Sequence, residues 1–188
     1  MNTGLIRCDW VPLDSELMKN YHDNEWGVAL HDDVCLFEAL VLDGAQAGLS
    51  WNTILEKREN YRNAFAQFDA HELVKFGNHD VERLMGDSGI VRNRAKIRSA
   101  LHNAQCFLET QKEFGSFDAY IWKFKNETEH EKYYSYKDIP AQTADSVAMS
   151  KDLKERGFTF VGPTICYAFM QAVGVVDDHT LLCYKTKH

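Results

Sequence analysis

Apolar side chains recur along most of this chain every three or four positions, the spacing that gathers them on one face of a helix. Asp14 or Ser15 starts a first helix that carries Leu17, Met18 and Tyr21 and ends near Gly27. Asp32 and Asp33 precede Leu36, Phe37, Leu40 and Val41, a second helix with acids suited to its N-terminal dipole. Ser50 caps a third, with Ile54, Leu55, Tyr61 and Phe65 facing inward. Short helices follow over 70–76 and 80–86, and Asp87-Ser88-Gly89 breaks the pattern. A long amphipathic segment runs from Asn93 to Glu113, and Phe117, Tyr120, Ile121 and Phe124 mark another helix. The polar stretch 127–138 reads as an irregular loop. Thr143 or Asp145 caps a helix running towards Arg156, and a turn at Val161-Gly162-Pro163 opens a last apolar helix from Thr164 to Val173. No stretch sustains the alternation of a strand. The fold class is all-α.

Composition changes this picture little. The 188 residues suffice for one unit that buries about 70% of its unfolded-chain surface, or for two helical subdomains with a pocket between them. No apolar run reaches the roughly 18 residues of a membrane span, and Met1 to Trp10 lacks the apolar core of a secretory signal, so a cytoplasmic protein is expected. A monomer is the expectation for its assembly. Five cysteines, widely spaced and odd in number, argue against a disulfide framework. The net charge of −7 counts against nucleic acid as a partner. Against that, Arg92, Arg94, Lys96 and Arg98 fall within seven positions and predict a local basic face.

Two cysteines and two histidines stand near opposite ends of the chain. His179 and Cys183 have i, i+4 spacing, which predicts one helix face. With Cys8 and His22 they make up a normal tetrahedral zinc set. The gap between Cys8 and His22 is far looser than a zinc-finger pair, and a lone histidine or cysteine is more often simply packed. Spacing alone therefore leaves both readings open.

Consecutive strings narrow the choice. Cys8-Asp9-Trp10, Tyr21-His22-Asp23-Asn24-Glu25-Trp26-Gly27-Val28 and Gln46-Ala47-Gly48-Leu49-Ser50-Trp51 closely resemble the type I 3-methyladenine DNA glycosylases. So do Lys57-Arg58-Glu59-Asn60-Tyr61-Arg62 and the run from Phe158 to Tyr167. The resemblance extends from Cys8 to Cys183. It implies a helix-hairpin-helix glycosylase fold, a structural zinc held by Cys8, His22, His179 and Cys183 that joins the two ends of the chain, and alkylated double-stranded DNA as the partner. Four protein ligands leave no open position, so such a zinc is not hydrolytic.

The resemblance also implies a chemistry. A base buried in a duplex must be extruded into a pocket. An adenine methylated at N3 is already cationic, which weakens its glycosidic bond and attracts it to aromatic faces. Tyr21 and Trp51 are the expected stacking walls, with Trp10 close by, while Trp26 reads as an ordinary core aromatic. Gly48 and Leu49 match the loop that fills the gap left by the base, as an apolar wedge. Gly162 and Thr164 match the hairpin that holds a DNA phosphate at a helix N-terminus. Thr164 stands where bifunctional relatives carry a catalytic lysine, so a lyase step is not expected.

Two positions depart from the family. Its pattern Leu-Glu-Gly-x-Gln-Ala-Gly-Leu-Ser-Trp here reads Leu42-Asp43-Gly44 onward, so Asp43 is one methylene shorter than the expected base-binding carboxylate. Asp177 occupies the aspartate position of Val-Asp-x-His in the wider superfamily, where type I enzymes typically carry asparagine. It is expected either to share in catalysis with Asp43 or to act as a capping residue beside His179. Three rival functions remain: a sensor that binds alkylated DNA without cutting, a zinc hydrolase, and a purely structural helical protein.

Overall fold

The computed structural model describes residues 4–126 and 131–186. Among them are nine α-helices and no strand. The expected helices are all present: α1 (Glu16–Asn24), α2 (Asp33–Gln46), α3 (Trp51–Ala64), α4 (Ala70–Leu73), α5 (Asn78–Gly86), α6 (Arg94–Phe114), α7 (Phe117–Trp122), α8 (Ala144–Glu155) and α9 (Pro163–Ala172). Side-chain caps fix their starts. Ser15, Asp32, Ser50 and Thr143 each accept a hydrogen bond from an N–H in the first turn of the helix that follows.

Helix α2 is the hub. Its residues from Leu36 to Ala45 are buried apart from Glu38 and Ala39, so it is apolar around nearly its whole circumference, as a helix wrapped by others must be. Its first turn is tied to α7, because the Asp33 carboxylate accepts from the N–H groups of Phe117 and Asp118, each at 2.8 Å. At its other end Lys96 on α6 donates to the carbonyls of Ala45 (2.8 Å) and Ala47 (2.6 Å), orphan acceptors at a helix C-terminus. One consequence of burying α2 so completely is that its single acidic residue beyond the first turns, Asp43, is buried with it.

The main core gathers around α2, α6 and α9. A second, smaller apolar cluster joins Cys8, Val11, Met18, Tyr21, Trp26, Leu55 and Cys183, with Trp51 packed against both clusters. Helices α8 and α9 are linked by a tight connection whose shape is set by side chains. Ser150 donates to the Val161 carbonyl at 2.6 Å, and Asn103 on α6 both donates to the Thr159 carbonyl and accepts from its N–H, each at 2.9 Å.

Several boundaries differ from expectation. Helix α1 stops at Asn24, because the Trp26 N–H reaches back to the Tyr21 carbonyl (2.9 Å) and turns the chain. Gly27 follows at φ +73, where an added Cβ would lie 2.7 Å from the His179 ring. The helical spacing of His179 and Cys183 does not mark a helix: residues 177–186 form turns, with the Cys183 N–H bonded to the Thr180 carbonyl at 2.8 Å. Gly174, at φ +74, lets this tail cross the backbone of Val28 and Ala29 so closely that a Cβ would meet it at 2.6 Å. Phe124 lies beyond α7 in a turn. Of the polar stretch 127–138, residues 127–130 lie outside the described residues, and Tyr136–Asp138 form one 3-10 turn.

Candidate active site

A cleft of ≈ 360 Å³ opens where the small apolar cluster meets the main core. Helix α1 supplies Tyr21, α2 supplies Asp43, α3 supplies Trp51 and α9 supplies Gln171, while Trp10 comes from a turn and Tyr136 from the start of the 3-10 turn. Asp9 holds the last two in place: its carboxylate accepts from the Tyr136 N–H (2.8 Å) and the Ser135 hydroxyl (2.6 Å), setting the Tyr136 ring 6.2 Å from that of Trp10.

The cleft carries polar atoms that nothing in the protein satisfies. Among the described residues, four buried side-chain polar atoms lack a hydrogen-bond partner, and three line this cleft: Trp10 Nε1, Trp51 Nε1 and Asp43 Oδ2. Each such orphan destabilises a folded protein by about 1–3 kcal/mol, so three in one cleft point to a guest. Asp43 is the only acid in the lining and only 4% exposed. Burial pushes its carboxyl well above the usual carboxylate range, so it resists ionisation. A cation placed beside it would reverse that penalty.

The aromatic residues are arranged differently from the expected sandwich. The rings of Tyr21 and Trp51 stand 5.4 Å apart at 50°, whereas a base stacked on both sides needs roughly 7 Å. They form a corner, against which a planar ring can lie. Trp26, expected as a plain core residue, is buried but also lines the cleft, with its ring 5.1 Å from that of Trp10 and 4.7 Å from that of His179.

The loop between α2 and α3 brings Gly48 and Leu49 to the surface near the cleft's rim. Gly48 adopts φ +80, and Leu49 is 41% exposed although apolar. Lys96 pins the start of this loop through the Ala47 carbonyl. Arg94 is likewise paired, with Glu82, and only Arg92 and Arg98 of the expected cluster are exposed and unpaired among the described residues. On the other side, Gly162 precedes α9 with no side-chain cap and Pro163 at its first position, leaving N–H groups there without side-chain partners, and Thr164 is exposed.

The fourth orphan atom is His179 Nε2, which belongs to a different site. Ligand atoms of Cys8, His22 and Cys183 lie within 4.8 Å of one another, all buried. The His22 ring is 5.2 Å from that of His179. Each imidazole has its Nδ1 held by a carboxylate, His22 by Asp23 (2.8 Å) and His179 by Asp177 (2.7 Å), which leaves Nε2 as the available ligand atom. The Thr180 N–H donates to Cys8 Sγ at 3.4 Å, as backbone groups around thiolates do. The neighbouring Cys183 and burial push the Cys8 thiol up, while Cys8 and His22 hold the Cys183 thiol below the ordinary cysteine range. Two thiols and one oriented imidazole are thus gathered closely enough to share a metal ion, while His179, the fourth expected ligand, stands beside this group of three rather than within it. Asp177 is thereby accounted for, since its carboxylate serves His179 and Lys132 (3.4 Å) and does not line the cleft.

The pattern of the methyladenine glycosylase family matches residues 10–186. The chain belongs to this family. It is 48% identical over 178 residues to the DNA-3-methyladenine glycosylase 1 of Escherichia coli strain K12, covering 94% of this chain and 95% of that one. A crystal structure of a 3-methyladenine DNA glycosylase I superposes with a TM-score of 0.92 at 46% identity, over 97% of this chain and all of the other. A tyrosine-to-phenylalanine variant of such an enzyme, solved in complex with 3-methyladenine, matches at 0.90 and 34% identity over the full length of both.

Three cleft residues escape the family strings as well as the periodicity of this methyladenine glycosylase. Tyr136 sits in the tyrosine- and lysine-rich stretch that reads only as loop. Gln171 lies inside an apolar helix with no local signal, and Asn52 hides in the first turn of α3. Only the cavity brings them together.

Proposed function

We propose that this chain is a monofunctional DNA glycosylase that extrudes 3-methyladenine from alkylated DNA and excises it. The observation that carries this reading is the buried Asp43 carboxyl, its Oδ2 without a partner in the protein, beside the Tyr21–Trp51 corner. The N3-alkylated base brings that positive charge. On entering, it restores ionised Asp43, and aromatic faces add roughly 2 kcal/mol when water is excluded. The bond between N9 and C1′ then breaks with its electron pair passing to the ring, which leaves as neutral 3-methyladenine. The sugar carbon, left electron-poor, takes water and releases a proton to solvent. Because the base leaves without added protonation, recognition supplies most of the catalysis.

Leu49 fills the gap in the duplex, and the α9 N-terminus behind Gly162 and Thr164 holds a phosphate. Cys8, His22, His179 and Cys183 would hold a zinc that supplies folding free energy by joining the chain's ends. The kinship with named glycosylases favours cutting over mere sensing. The test is chromatography of bases released from DNA treated with a methylating agent, with zinc content measured alongside. Free 3-methyladenine from the wild type supports excision; binding without release from folded protein would mean a sensor.

A further inference from the structure

Asp178 is a buried carboxylate that the reading above leaves unused. Its Oδ2 accepts from the Tyr167 hydroxyl at 2.6 Å and from Gln171 Nε2 at 2.7 Å. Both partners lie on α9 four positions apart, and Gln171 lines the cleft. A carboxylate accepts but cannot donate, whereas an amide has one donor end and one acceptor end. The donor end of Gln171 is therefore committed to Asp178, and the end left for the cleft is the carbonyl oxygen. The main chain of Gln171 is held too, since its C=O accepts from the Gly27 N–H at 3.0 Å. The cleft thus presents two acceptors from different helices, the Asp43 carboxyl from α2 and the Gln171 Oε1 from α9.

We propose that Gln171, oriented by Asp178, reads the exocyclic amine of the extruded base and so favours alkylated adenine over alkylated guanine. Adenine carries an amino group, two N–H donors, where guanine carries a carbonyl oxygen. A fixed amide oxygen in the cleft bonds the first and faces the second lone pair to lone pair. This rests on the excision reading above and assigns its base selectivity. Asp178 touches no substrate and is a positioning residue: it denies Gln171 the flip that would turn its NH2 towards a guanine.

DNA treated with a methylating agent contains both 3-methyladenine and 3-methylguanine, so one digest reports both release rates. Their ratio is independent of how much of a variant is folded, because the same molecules release both bases. D178N presents either an acceptor or a donor to Gln171 and so no longer holds the amide one way round; Q171L removes the acceptor while keeping the shape. Each is expected to lower the adenine-to-guanine ratio by about tenfold. D178N should do so chiefly by raising guanine release, and Q171L by lowering adenine release. An unchanged ratio in Q171L overturns the proposal, whether or not D178N folds. An unchanged ratio in folded D178N with an altered one in Q171L overturns the role of Asp178. A wild type that releases no 3-methyladenine overturns the excision reading, and this one with it.

Discussion

The aromatic cleft and the cysteine–histidine cluster lie side by side, share Trp26 as a wall, and both hold buried polar atoms without partners. They differ in how those atoms are supported. In the cleft, Asp43, Tyr21, Trp51 and Gln171 project from helices seated in the apolar clusters, and the carboxyl of Asp43 faces space with its ionisation opposed. In the cluster, the ligands come mostly from turns at the two ends of the chain, but each imidazole is pre-aimed by its own carboxylate. A rigid frame around an unsatisfied group suits a guest that comes and goes. Irregular segments around oriented donors suit a resident that joins them to one another. The cleft is organised at the expense of stability, the cluster in its favour.

Substitutions can break this contrast. The largest effect is expected from Asp43→Asn, which removes the charge partner of the base: excision kcat/KM should fall at least about 100-fold, roughly 3 kcal/mol, as read by base release. Next, Cys183→Ala should abolish metal binding and lower Tm by on the order of 10 °C, about 3 kcal/mol for a chain of this size, by calorimetry and metal analysis. Asp177→Asn should weaken the metal about 10- to 100-fold, measured by chelator competition. Its metal-loaded form should excise normally, and a large fall in that rate would return Asp177 to the chemistry. Lys96→Met should loosen the loop carrying Leu49, lowering excision from duplex DNA about tenfold. Its affinity for free 3-methyladenine, by calorimetric titration, should not move.

The smallest effect concerns pH. Asp43 binds its proton more tightly folded than unfolded, so its contribution to stability is full below the ordinary carboxylate pKa of about 3.9 and declines as pH rises towards its folded value. Asp43→Asn should therefore melt a few degrees higher than wild type at pH 7, and the gap should close near pH 4, as followed by circular dichroism. A variant that loses function while gaining stability would place the cleft on the opposite side of the ledger from the cluster.

How much of this could be read from the chain follows physical lines. Helices were legible because their caps and apolar spacing are local: Ser15, Asp32, Ser50 and Thr143 all stand one residue before the helices they cap. The spacing of His179 and Cys183 misled, because i, i+4 also fits a turn, here closed by the Cys183 N–H on the Thr180 carbonyl. Trp26 is the buried aromatic that was expected, and its place in the cleft wall is additional; Tyr136 was missed because lining a cleft depends on contacts between remote segments, here Asp9 with Ser135 and Tyr136. The basic run at 92–98 was legible as charge, but not that Lys96 caps a helix or that Arg94 meets an acid twelve positions earlier. Charge is legible in sequence; its neutralisation is not.

Three of the four tryptophans, Trp10, Trp26 and Trp51, line the cleft, and the fourth, Trp122, donates to the Leu30 carbonyl at 3.0 Å and stacks on His31. The protein's ultraviolet emission therefore comes mostly from the walls of one cavity. Any cation or planar ring that enters will alter three fluorophores at once and leave Trp122 as an internal reference. Occupancy can be followed in the unlabelled wild-type molecule, by colour alone, before a single bond is cut.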